Sequence, residues 1–140
     1  MKAVVASVKR EWWGKMLAGE KTMEIRKSAP QSKDGRTFTW PLTVLVYVSG
    51  TGTIRGKFTC PGWIKTNLLE MLVDQSCVPL ENLRAYAKGG SLYGWMIQNA
   101  EKFDIPVPLA EVGLTKPPMS WQYVEIPESQ DLLEQSDGGN

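Results

Sequence analysis

The hydrophobic period of this chain changes at Gly19, and that change limits the fold more than any other feature of the sequence. Before it, Trp12, Trp13, Met16 and Leu17 recur at helical spacing. After it, Thr22-Met23-Glu24-Ile25-Arg26 alternates with period two: Met23 and Ile25 share one face, and Thr22, Glu24 and Arg26 share the other. Glycine tolerates the left-handed backbone that ends many helices. A helix over 10–18 therefore feeds a strand through Gly19, and a purely helical or purely β fold is excluded.

The same reading predicts strands over 3–8, 22–26, 42–48, 54–60, 92–100 and 121–125. Residues 42–48 form a near-continuous β-rich run suited to a central strand. In 54–60, Ile54, Gly56, Phe58 and Cys60 are expected to face inward, with Gly56 permitting sharp curvature. Short helices are predicted over 67–75, capped by Asn67, and over 80–88, entered through Pro79 and ended by Gly89-Gly90. Residues 29–41 read as a polar loop broken by Pro30, Gly35 and Pro41, and Pro106 and Pro108 bracket a loop or a sheet edge. This order predicts an α+β fold: a small β-barrel of roughly five to seven mostly antiparallel strands, with short helices at its ends. One domain is expected over 1–126, followed by an acidic, disordered tail over 127–140.

The chain contains no histidine. That excludes Ser-His-Asp and Cys-His catalysis, histidine-pair ribonuclease chemistry and histidine-ligated metals. Acid–base work falls to Glu, Asp, Lys, Tyr or water. Cys60 and Cys77 form no metal-ligand spacing and read as free, structural thiols. Cys60 and Ser120 are weak candidates as nucleophiles without a histidine partner. No cofactor is expected, except a divalent metal if the chain cleaves RNA. No apolar run is long enough to span a bilayer, and the run Val4-Val5-Ala6-Ser7-Val8 is too short for the core of a secretory leader. A cytoplasmic location and no membrane partner are therefore expected.

Charge is uneven. Residues 1–65 carry 12 Lys and Arg against 4 Asp and Glu, whereas 125–140 carry 5 acids and no base. A basic N-terminal half suits a polyanionic partner, whose binding would weaken with salt.

Glu24 and Arg26 project from one strand face, two residues apart, with Lys21 just upstream. A carboxylate flanked by cations can orient a polar ligand. Arg26 can present a planar fork to phosphate or a base edge, and Lys21 can hold a phosphate or act as a base if burial lowers its pKa. A plain surface ion pair is the competing account of Glu24 and Arg26. Trp12 beside Lys9 and Arg10, and Trp121 after Ser120, are the preferred stacking surfaces among the aromatic residues. The candidate ligand-binding set is Lys9, Trp12, Lys21, Glu24, Arg26, Lys27, Tyr93, Ser120 and Trp121. Lys21 and Glu24 are the catalytic candidates if the chain is an enzyme.

The stretch from Ser7-Val8-Lys9 to Gly19-Glu20-Lys21-Thr22-Met23-Glu24-Ile25-Arg26 resembles the signature of the ASCH domain family, whose core is Gly-x-Lys-x-x-x-x-Arg. Gly19, Lys21 and Arg26 match it. The segments 44–49, Gly56-Lys57-Phe58-Thr59-Cys60, Tyr93-Gly94-Trp95 and Pro117-Pro118-Met119-Ser120-Trp121 are also similar to bacterial and phage-type single-domain members, so the resemblance covers 3–124. It implies a PUA-like β-barrel with a central cleft and a partner that is RNA, a nucleoside or a nucleotide. Some members bind RNA, and one cleaves it with metal assistance. One branch hydrolyses N4-acetylcytidine, with a lysine at the position of Lys21 and a threonine at that of Glu24. Glu24 departs from that branch, and its further catalytic glutamate has no assigned counterpart in this chain.

Three functions stay open at this stage: a binding module for RNA or a nucleoside, a hydrolase acting in the same cleft, and a protein-interaction module. Lys21, Glu24 and Arg26 are expected at the mouth of the cleft. Single alanine substitutions there are expected to abolish function while leaving melting unchanged.

Overall fold

The computed structural model describes residues 1–31 and 40–126. The proposed tail at 127–140 and most of the loop at 29–41 lie outside them. Eight strands form two sheets among the described residues. In chain order the elements are β1 (Lys2–Val8), α1 (Arg10–Leu17), β2 (Met23–Arg26), β3 (Leu42–Val48), β4 (Thr53–Cys60) and β5 (Trp63–Thr66). Then follow α2 (Val73–Ser76), α3 (Leu80–Ala87), β6 (Leu92–Met96), β7 (Gln98–Pro108) and β8 (Trp121–Glu125).

The larger sheet has the order β7-β4-β3-β1-β8, antiparallel except for the parallel pair of β1 and β3. Its central strands are apolar on both faces because both faces are covered. One face carries Val4, Ala6, Val44, Val46 and Phe58 beneath Trp13, Met16 and Trp95. The other carries Val5, Leu45, Ile54, Phe103 and Val124 against Val112 and Leu114. The smaller sheet, β2-β6-β5, packs Met23, Ile25 and Leu92 against Leu69, Leu72 and Leu83 of the helical segment.

The expected single barrel becomes two sheets linked at corners. β4 runs into β5 across Pro61-Gly62, and β6 runs into β7 across Ile97, so at these two corners the chain passes directly from one sheet to the other. Hence the predicted strand over 92–100 is two strands, and β5 is an additional one. Pro106 and Pro108 lie within β7, the edge strand, where a missing amide breaks no internal ladder. The helix predicted over 67–75 is a 3-10 turn (Leu69–Leu72) leading into α2. Asn67 does not cap it; the amide of Leu68 instead donates to Thr66 Oγ1 at 2.9 Å.

In β4, Ile54, Gly56, Phe58 and Cys60 are all buried, as the alternation predicts. They do not share one face, however: Ile54 packs on one side of the sheet and Phe58 and Cys60 on the other. The cause is a bulge. Val46 pairs with Gly56 but Tyr47 pairs with Ile54, leaving Arg55 as the extra residue.

Candidate functional site

Gly19 ends α1 as its spacing predicts, and the geometry is specific. Its φ is 80°, and the amides of Gly19 and Glu20 donate to the carbonyls of Met16 (3.1 Å) and Lys15 (3.0 Å). These are the paired bonds of a Schellman turn. The amide of Lys21 joins them at Lys15, at 3.1 Å. The turn therefore delivers Lys21 inward, with its side chain only 1% exposed.

Lys21, Glu24 and Arg26 form the floor of a cleft rather than its mouth. Glu24 and Arg26 are 6% and 8% exposed. Glu24 Oε2 accepts from Arg26 Nη2 at 2.7 Å and Nε at 3.2 Å. Arg26 Nη2 also donates to the Ser7 carbonyl at 2.7 Å. Nη1 donates to the carbonyl and the hydroxyl of Ser120, at 2.9 and 3.0 Å. A guanidinium has five N–H donors, so all are used within the protein. Arg26 therefore ties β2 to the end of β1 and to the entry of β8, and it offers no fork to a ligand. The plain surface pair is equally excluded by this burial.

Lys21 is different. Its Nζ donates to the Ser76 carbonyl at 2.7 Å and lies 3.5 Å from Glu24 Oε1. It also sits 4.8 Å from the centre of the Trp12 ring. Burial pushes this ammonium below the usual lysine range, against the opposing pull of Glu24. Lys21 and Glu24 both line the cleft, which encloses about 360 Å³.

The walls come from three elements. Lys9 and Trp12 stand at the start of α1, beside Ser7 and Val8. Asn82, Leu83 and Tyr86 face them from α3, with Val78 before it. Lys27 lies at the rim, 4.7 Å over the Tyr86 ring. Ser120 reaches the site only through Arg26. Tyr93 and Trp121 are not brought to the cleft. Tyr93 stacks edge-on against Trp63 at 5.0 Å, and Trp121 packs between Trp95 and Tyr123 while its indole donates to Ser28 Oγ. Sequence reasoning missed Asn82 and Tyr86. Their spacing of four residues on a polar helix was the available signal.

Among the described residues no group of three or more His, Cys, Asp or Glu could hold a metal ion. In the cleft the lone carboxylate Glu24 already faces two cations, so this donor set does not fit a divalent metal. Cys60 is buried, its thiol donates to the Gly62 carbonyl at 3.2 Å, and burial pushes its pKa up to about 11. It is held protonated and inert. A thiol reagent is expected to label the folded protein once, at half-buried Cys77, and twice only after denaturation. Rapid labelling of both thiols in the folded state would refute this assignment.

No protein-family model matches the sequence, and no curated protein matches it. Solved structures do. The ASCH protein of Zymomonas mobilis superposes with a TM-score of 0.74 at 16% identity, covering 94% of each chain. Two point mutants of that protein give TM-scores of 0.76, also at 16% identity. They cover 94% and 96% of this chain and 94% and 98% of their own. The chain has the fold of an ASCH domain.

Proposed function

From this fold and the chemistry of its cleft, we propose that the protein binds a single nucleoside or nucleotide unit, free or at an exposed position of an RNA. The observation that carries the reading is the pair of Lys21 Nζ and Glu24 Oε1, buried 3.5 Å apart between the aromatic walls of Trp12 and Tyr86. A lysine donor beside a carboxylate acceptor suits a base edge, which offers carbonyl oxygens and amino groups together. Aromatic rings suit its faces. The volume of the cleft is at the small end for ligand sites and fits one such unit. The ASCH-like fold, read as a PUA-like barrel opened at its corners, favours the same partner class.

The test is calorimetric titration with the common nucleosides and their monophosphates. Lys21→Met keeps the stem and leaves Glu24 neutralised by Arg26, but it strips the Ser76 carbonyl of its donor, so it should cost about 1–3 kcal/mol, less than Glu24→Ala. Loss of a charged hydrogen bond to the ligand should weaken binding about 10- to 100-fold. A parent that binds no nucleoside, or a Lys21→Met variant that binds equally well, would sink the reading.

The depressed pKa of Lys21 favours a second reading, hydrolysis in the same cleft. Neutral Nζ would take a proton from water as its oxygen attacks an acyl carbon of a modified base. That proton would pass to the departing amine as the C–N bond breaks. Release of acid from an N4-acylated cytidine, lost in Lys21→Met, separates this reading from simple binding.

A further inference from the structure

α1 is a partition between two cavities. Lys9 and Trp12 line the cleft described above, while their neighbours Arg10 and Trp13 line a second groove on the opposite flank of the helix. This groove encloses about 330 Å³ between α1, the end of β3 and the strands β4 and β7. Its apolar surface is formed by Trp13, Leu17 and Val48, and three cations surround it: Arg10, Arg55 and Lys102. No carboxylate lines it, and none pairs with these three cations among the described residues.

Arg55 is the extra residue of the β4 bulge, a device that re-aims a side chain. Its Nε is tethered to Thr53 Oγ1 at 2.7 Å, and its two terminal nitrogens have no partner among the described residues. The guanidinium is thus oriented but unspent. Arg26 is its opposite, with every donor used inside the protein.

We infer that this groove is an anion site for the phosphates of a single-stranded polynucleotide running across α1. Three unneutralised cations over an apolar floor match a backbone of phosphate and sugar in charge and in character. Only α1 separates the groove from the cleft, since adjacent residues of that helix line the two. A strand with one nucleotide in the cleft can therefore place phosphates of its neighbours in the groove. The inference rests on the proposed function only in naming which nucleotide lies alongside; the anion site stands on its own residues.

The experiment measures binding of a fluorescein-labelled oligouridylate of about eight nucleotides between about 50 and 200 mM salt. It compares the parent with the triple variant Arg10→Gln/Arg55→Gln/Lys102→Gln. A charge-matched control removes Arg84, Lys88 and Lys116 instead. A second probe variant, Gly14→Glu, places a carboxylate where a new side chain meets open space at the groove. Each phosphate contact on a single strand contributes about 0.7 to the slope of log affinity against log salt. The groove triple is expected to lower that slope by about 0.7 to 2 and to weaken binding at least tenfold at low salt, and Gly14→Glu is expected to weaken it similarly. The control should change the slope by less than about 0.7.

Nucleoside affinity, measured in parallel, should be the same in the parent and the groove triple. If the oligonucleotide binds through the groove while no nucleoside binds the cleft, the cleft reading fails and the groove stands. Equal slopes for triple and control, or a parent that does not bind the oligonucleotide, overturn the inference. Tighter, groove-dependent capture of a polyglutamate peptide would assign the groove to an acidic protein partner and overturn it as well.

Discussion

Glu24→Ala is expected to cost about 3–5 kcal/mol, the penalty of leaving buried cations without their counter-charge. Glu24 stands between Lys21 and Arg26, and both of these are nearly inaccessible to water. Its removal strips Arg26 of two of its five hydrogen bonds and Lys21 of its carboxylate neighbour. At about 3–5 °C per kcal/mol for a chain of this size, melting should fall by roughly 10–20 °C. Glu24→Gln, which retains an acceptor, should fall less. The double variant Lys21→Met/Glu24→Ala should recover part of the loss, because one of the two stranded cations is gone. A Glu24→Ala protein that melts within about 2 °C of the parent would show that the triad is not coupled as its geometry requires. This result also changes how function should be tested. Alanine scanning of a surface site leaves melting intact, but here Glu24→Ala would confuse lost binding with lost folding, so Lys21→Met is the sounder probe.

Gly56→Val should be the other severely destabilising change, costing about 3 kcal/mol or more. A side chain at this position would collide with the Glu101 backbone carbonyl on β7 and with the ring of Trp13 seated above it. The ring could tilt, but the carbonyl belongs to the paired strand and cannot retreat without breaking the β4–β7 ladder. Gly56→Ala already introduces the colliding atom and should lower melting by about half as much. Both changes push α1 off the sheet, so the cleft and the groove should deform together. Hydrogen exchange of the α1 amides should accelerate in either variant. Parent-like exchange in α1 with parent-like melting would refute the close approach. Gly56 was read from the sequence as a point of curvature; it also makes room for the ring of Trp13.

The parts of this structure that were legible in the sequence are those set by local periodicity and by a single backbone requirement. The turn at Gly19 is one: a helical stripe, a left-handed residue and a two-residue alternation follow one another, and each is a local signal. The buried run of β3 is another, since seven residues of β-formers need cover on both faces. Opaque features depend on distant partners. Nothing near Ile97 announces that the strand changes sheets there, because the reason lies in Thr22 accepting its amide from across the molecule. The bulge at Arg55 leaves an intact alternation in the sequence while reversing which face each residue occupies. At the site, charge spacing found Lys21, Glu24 and Arg26 but could not tell a free guanidinium from a spent one. Beyond Glu24, the partners that consume Arg26 are Ser7 and Ser120, 19 and 94 residues away. Tyr93 and Trp121 failed as cleft residues for the reason that favours most tryptophans and tyrosines as core: their rings found other rings first.

The saturation of Arg26 has a consequence for how such a protein could diversify. A floor whose arginine and carboxylate satisfy one another is complete before any ligand arrives, so selection on the ligand need not disturb it. On the proposed reading, Lys21 and Glu24 would hold the base edge, and finer discrimination among nucleosides would fall to the far wall, where Asn82 and Tyr86 belong to α3, whose buried residue is Leu83. Those two positions can be exchanged at small cost to the scaffold. A library varying only them, selected against a panel of modified nucleosides, should on that reading yield altered preferences on an unaltered fold, because the floor and the far wall lie on different elements.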